Sequence, residues 1–233
     1  MRLLAIDTST EWCSVAVGGD EGWHLRDTRA GQAHSELLLP MVGAALAEAG
    51  WTLRGLDGLA FGAGPGSFTG VRIGCGVVQG LALGADLPVV PVPTLAGIAQ
   101  EVFRERGWSR VLACLGARML EVYVASYERA GGDWREVTAP AVTRPAAIGR
   151  GRFVDDGDWS GAGNGFAAYP TLAAELALHR VDSGARPAAR AIGELALPRL
   201  AAGGGVAADD ALQLYVRHRV ALTTAERGAG VRL

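Results

Sequence analysis

Few side chains in this sequence are placed to do chemistry. The four histidines, His24, His34, His179 and His218, are never three to five residues apart, so no helical ligand pair exists for a metal. HExxH is absent, which removes the zinc-peptidase pattern. Cys13, Cys75 and Cys114 lie far apart in apolar runs with no CxxC, as suits buried free thiols in a reducing cytoplasm. Ser67 sits in GPGSFTG rather than GxSxG, so its hydroxyl reads as a partner for local backbone and not as a nucleophile. His34 and Glu36 look like an acid/base pair, yet they stand two apart at a helix start and point different ways. They read either as a solvent-facing helix start or as a partner contact. Arg118 and Glu121 are spaced to pair across a turn.

The most unusual segment runs from Gly62 to Ala85, GAGPGSFTGVRIGCGVVQGLALGA. It is a glycine-rich turn feeding a helix, and it lacks the lysine of a phosphate-binding P-loop. Gly70, Gly74, Gly76, Gly80 and Gly84 fall in the helical part, each at a cost of roughly 1 kcal/mol relative to alanine. Gly76, Gly80 and Gly84 recur at i+4 and share a face; Gly70 and Gly74 continue a neighbouring stripe. Such a face admits another backbone, from this protein's own core or from a partner helix. Arg72 and Gln79 interrupt the segment, which argues against a membrane span.

At 233 residues the chain accommodates one large domain or two small ones. Apolar residues make up 49% and charged residues 20%, which hints at apolar surface covered by another chain. A net charge of −2 supplies no global field for nucleic acid. The start, MRLLAIDTST, lacks the apolar core of a signal peptide, so the protein reads as cytoplasmic.

The elements that must carry these residues read as strands at 3–6, 13–17 and 23–26, then a helix at 35–49 ended by Gly50. Pro40 should bend the first turns of that helix unless it starts late. A strand at 59–61, a helix at 71–83, a strand at 89–92 and a helix from Pro93 to Arg106 follow. The pattern partly repeats, with strands at 111–115, 121–127 and 134–137. A helix from about Pro145, a strand near Phe153 and helices at 169–178 and 190–201 come next. Gly203 to Gly205 reads as a loop, 212–220 as the last ordered element and 223–233 as a frayed tail. The division is a first lobe at 1–106 that carries the association surface and a second at 107–222. The last element of the second lobe is placed to pack back on the first.

Two meander-plus-helix halves resemble the duplicated actin-like (ASKHA, ribonuclease H-like) α/β fold with two lobes. The motifs IDTST (Ile6–Thr10), HSELLLP (His34–Pro40), GPGSFTGVRIG (Gly64–Gly74) and QGLALG (Gln79–Gly84) narrow this. ARMLEVYVA (Ala117–Ala125), GNGFAAYP (Gly163–Pro170) and YVRHRVA (Tyr215–Ala221) complete the set. Together, over residues 1 to about 222, they resemble the TsaB (YeaZ) family of bacterial tRNA threonylcarbamoyladenosine biosynthesis proteins. GPGSFTG followed by VRIG is the specific part.

The resemblance implies a non-catalytic partner of the paralogue TsaD. With the ATPase TsaE, TsaD modifies adenosine 37 of tRNAs reading codons that start with A. Both paralogues were once filed as glycoprotease-like peptidases, so an actin-like ATPase and a peptidase are the rival readings. Active actin-like ATPases place glycine two residues after the first-hairpin Asp. Here the order is Asp7, Thr8, Ser9, Thr10, a vestigial nucleotide-binding turn with Ser9 in the glycine place. Family members carry Asp, giving DAR, where this chain has Gly116. The paralogue's His-x-x-x-His falls on Thr94 and Ile98. The expectation is therefore no catalytic residue, no metal, and nucleotide held only weakly or at the interface. The expected association surface is His34, Glu36, Leu38, Met41 and Val42 on the first helix with Phe68, Arg72, Gly76, Gly80 and Gly84 on the second. It would take TsaD, or a second copy of this chain in its absence. Arg217, His218, Arg219, Arg227 and Arg232 form a modest basic patch, for tRNA phosphate, for an acidic partner, or simply solvated.

Overall fold

The computed structural model describes residues 1–216. Leu3 to Ile6 are wholly buried and form the middle of β1 (Arg2–Asp7), with tight turns leading into β2 (Trp12–Gly19) and β3 (Gly22–Arg29). Helix α1 (His34–Ala49), β4 (Gly58–Gly62), α2 (Phe68–Ala85), β5 (Val89–Val92) and α3 (Thr94–Arg106) complete the first half. The strands make a sheet in the order β3-β2-β1-β4-β5, with β1, β4 and β5 mutually parallel. The second half repeats it. β6 (Arg110–Gly116), β7 (Val122–Ala130), β8 (Asp133–Thr143), β9 (Ser160–Ala162) and β10 (Arg180–Asp182) form a sheet in the order β10-β9-β6-β7-β8. Position for position this is the same topology, which establishes a duplicated two-lobed α/β fold.

Each half lends a helix to the other. Helix α3 leaves the first sheet and packs on β6, β7 and β9, burying Leu95, Ile98 and Val102. Helix α6 (Ala189–Ala201) leaves the second half and covers β1, β2, β4 and β5 with Ile192, Ala196 and Leu200. Helices α3 and α6 touch, so they form the layer between the sheets. Helices α1 and α2 cover the outer face of the first sheet over Leu4, Ile6, Val15 and Phe61. Gly193 leaves room for the Trp23 ring against α6.

The second half departs from the expected elements. In place of a helix from Pro145 there is one 3-10 turn, Pro145–Ala147. Phe153 is buried, but its segment makes only an isolated bridge between Arg150 and Val154. The helix expected at 169–178 shrinks to Leu172–Glu175 (α5), preceded by the single turn Gly165–Ala168 (α4). β9 and β10 are three residues each, too short to show a period. Pro40 lies inside α1, which runs through it on the exposed side. Residues 211–216 are extended chain laid on α2 rather than a regular element, and the tail at 223–233 lies outside the described residues.

Candidate functional site

The turn after β1 is built from its own polar groups. Asp7 is buried, and its Oδ1 accepts from the Ser9 amide at 3.0 Å and the Ser9 hydroxyl at 2.8 Å. Its Oδ2 has no hydrogen-bond partner. Burial drives the carboxyl up to about 7, against the hydrogen bonds from Ser9 and the charge of Arg186. Thr8 Oγ1 donates to the Gly70 carbonyl at 2.7 Å, and the Ser67 amide donates to the Ser9 carbonyl at 2.7 Å. The glycine-rich turn thus closes on the β1–β2 turn. Gly66 and Gly70 are glycine because a Cβ at either would strike the backbone of Ser9 or Thr8. The Ser67 hydroxyl accepts from the Gly70 amide at 3.3 Å, a helix cap.

The other candidate chemical positions are likewise bonded within the chain or buried. Thr94 is buried and its Oγ1 accepts from the Gly64 amide at 3.0 Å. The Gly116 amide donates to Asn164 Oδ1 at 2.9 Å. Burial pushes the Cys13 thiol up to about 11 and that of Cys114 up to about 12, so neither is a ready nucleophile. No cluster of three His, Cys, Asp or Glu capable of holding a metal occurs among the described residues. The patch from Arg217 to Arg232 lies outside them.

The outer helices offer a surface instead. Phe68, Arg72, Gly76, Gly80 and Gly84 stand at successive i+4 positions, and all five are exposed. A Cβ at Gly76, Gly80 or Gly84 would meet nothing within 4 Å. Gly70 and Gly74, one ridge over, press on Thr8. The stripe therefore divides: two glycines serve internal packing and three lie bare. Leu83, at 78% exposure, and Phe68, at 59%, stand at the two ends of α2.

Helix α1 corrects part of the expected surface. His34 is buried, not solvent-facing, and its Nε2–H donates to the Trp12 carbonyl at 3.2 Å. Leu38 and Val42 are buried in the core under the first sheet. These three face inward because the helix needs them to bury its inner stripe. Met41 is half-buried and Glu36 is exposed. The outward stripe is Glu36, Leu39, Pro40, Gly43 and Ala47. Its i+4 spacing over 39, 43 and 47 was available in the sequence as a small, apolar outer face.

By length and composition alone α2 could cross a membrane. In the fold its inner ridge of Val71, Cys75, Val78 and Ala82 is core.

The comparisons with known proteins fall in line with this architecture. The family profile "TsaD: tRNA N6-adenosine threonylcarbamoyltransferase" matches residues 28–225. The Escherichia coli tRNA threonylcarbamoyladenosine biosynthesis protein TsaB is 42% identical over 95% of this chain and 96% of its own. The protein of that name from Haemophilus influenzae is 42% identical over 72% of this chain and 74% of its own. The solved structure of YeaZ from Pseudomonas aeruginosa superposes with a TM-score of 0.85 at 41% identity, covering 92% of this chain and 99% of that one.

Proposed function

Because the chain belongs to the TsaB (YeaZ) family, we propose that it is the non-catalytic partner of the TsaD paralogue in forming N6-threonylcarbamoyladenosine at position 37 of tRNA. The observation that carries this is the bare ridge of α2, where Gly76, Gly80 and Gly84 face outward beside the apolar stripe of α1. A ridge without side chains lets a second helix approach to backbone distance. The matching TsaD profile begins before α1 and spans both helices, which supports an equivalent pair in the paralogue. Two such pairs form a four-helix contact. In the absence of TsaD a second copy of this chain takes its place, since a two-fold contact is self-complementary.

The inward-looking chemistry supports the non-catalytic part. Ser9, Thr94 and one Asp7 oxygen spend their hydrogen bonds on their own chain, and the other Asp7 oxygen is buried. Binding that favours the competent state of TsaD raises the active fraction without contributing a reacting group. TsaE and tRNA join through that complex, in the cytoplasm.

The test is a reconstituted modification reaction with purified TsaD and Gly76→Leu or Gly80→Leu. The variants melt at or slightly above the wild-type temperature, because nothing lies within 4 Å of the new Cβ and leucine favours the helix over glycine. TsaD binding falls by more than tenfold, about 1.4 kcal/mol, and modified nucleoside measured by mass spectrometry falls with it. Unchanged binding by both variants, or full modification with this chain left out, defeats the reading.

A further inference from the structure

Beyond the two helices, a third element borders the bare ridge. Residues 211–216 run along α2 without regular structure, held at three points. The Cys75 thiol and the Gln79 amide both donate to the Ala211 carbonyl, at 3.2 and 3.1 Å. The Leu214 amide donates to the Ala63 carbonyl at 2.8 Å. Arg72 donates to the Tyr215 hydroxyl from Nε at 3.3 Å and Nη2 at 3.2 Å, while its guanidinium lies 3.4 Å over the Phe68 ring. Tyr215 in turn donates to Gln213. Such anchoring would ordinarily bury the apolar side chains of the segment. Here it does the reverse: Leu212 is 66% exposed, Tyr215 58%, and Leu214 also stands out.

We propose that this strap is part of the TsaD docking surface and supplies apolar anchors that the glycine ridge cannot. The inference rests on the docking reading above. Its physical basis is area. A stable interface buries about 800 Å² per partner, and its energy concentrates in large side chains. Gly76, Gly80, Gly43 and Ala47 permit close approach but bring little apolar surface. Tyr215 is bonded to Arg72, whose guanidinium covers Phe68, at the N-terminal end of the same ridge, and Leu212 and Leu214 belong to the same strap, so one partner lying along α2 meets both. Arg72 acts here as a positioning residue that fixes Tyr215. An arginine between two rings would also suit a stacked nucleobase. Arg72 is, however, the sole charged residue on α2, and α1 carries glutamates, so among the described residues this face lacks the cations a phosphate backbone needs. A protein partner is the better fit.

The experiment uses the full chain and purified TsaD. Calorimetry compares wild type with Leu212→Asp, Tyr215→Ala and Tyr215→Phe, each checked for an unchanged melting temperature. Leu212→Asp and Tyr215→Ala lower affinity at least fivefold, and Tyr215→Phe keeps most of it because the ring remains. If both disruptive variants bind as wild type while Gly76→Leu is impaired, the strap is not part of the face and only this inference fails. If the wild-type chain does not bind TsaD, the docking reading falls and takes this one with it. A chain ending at Val216 that binds more tightly than wild type shows that the protein's own last residues occupy the patch, which also overturns the proposal.

Discussion

Asp7 is held as a buried acid with one satisfied oxygen and one orphan. Asp7 pairs with Ser14 and Ser14 with Asp27, so the three share one face across β1, β2 and β3. Arg186 closes that row by donating to Asp27 at 2.7 Å. Burial, the largest influence, raises the Asp7 carboxyl to about 7, while Arg186 lowers it and Asp27 raises it. The folded state therefore keeps a proton that the unfolded chain, titrating near 3.8, gives up. The stability linked to that proton is complete below about pH 4 and is lost as pH rises through 7. Asp7→Asn should flatten this part of the pH–stability curve. Relative to wild type it keeps more of its low-pH stability at pH 8, by an amount on the order of a few kcal/mol. Urea unfolding at pH 5 and pH 8 checks it, and parallel losses in both proteins would exclude Asp7 as the source.

At the scale of one element, α2 uses glycine for two opposite reasons. Gly70 has no side chain because Thr8 leaves no space; Gly80 has none although nothing opposes it. Alanine at each should therefore move stability in opposite directions. Gly80→Ala gains the helix propensity of alanine, about 1 kcal/mol. Gly70→Ala gains the same term but must push the Thr8 carbonyl aside, and overpacking of this kind costs about 1–3 kcal/mol. The Thr8–Gly70 hydrogen bond is lost or stretched with it. Denaturant midpoints should rise for the first and fall for the second. A stabilising Gly70→Ala would mean the β1–β2 turn yields more easily than its hydrogen bonds imply. Helix α1 makes the complementary point: Pro40 is tolerated on its outer face, beside Leu39 at 52% exposure, while His34, Leu38 and Val42 hold it to the sheet.

For the molecule as a whole, the exchange of α3 and α6 makes each half depend on the other. Without α6 the inner face of the first sheet, with Leu3, Ala5, Val90 and Val92, meets water. Without the second sheet α3 exposes Leu95, Ile98 and Val102. Polar contacts reinforce the exchange. The Ala189 amide, at the start of α6, donates to Ser14 Oγ at 2.7 Å, and Gln100 on α3 donates to Glu194 on α6 at 2.7 Å. A fragment of residues 1–106 should therefore show no cooperative thermal transition, and co-expression with 107–233 should restore one. A sharp transition in the first fragment alone would mean its sheet is stable with one face bare.

The local sequence determined much of the first half. Strand runs such as Leu3–Ile6, the helical spacing of α1 and α2, and the alignment of Gly76, Gly80 and Gly84 on one face follow from period and side-chain type alone. The family was legible in GPGSFTGVRIG and its companion motifs. The tertiary structure decided which way each stripe faces. Period shows that Leu38 and Val42 share a face with the core, or that Leu39 and Gly43 share the opposite one; only the sheet beneath α1 says which is inside. It likewise separated Gly70 from Gly80, since the difference lies in Thr8, sixty-two residues away from Gly70 in the chain. The three-residue strands β9 and β10 have no period to read and exist because β6 offers an edge to pair with. The strap at 211–216 is fixed by scattered hydrogen bonds to Ala63, Arg72, Cys75 and Gln79, contacts that no local pattern encodes.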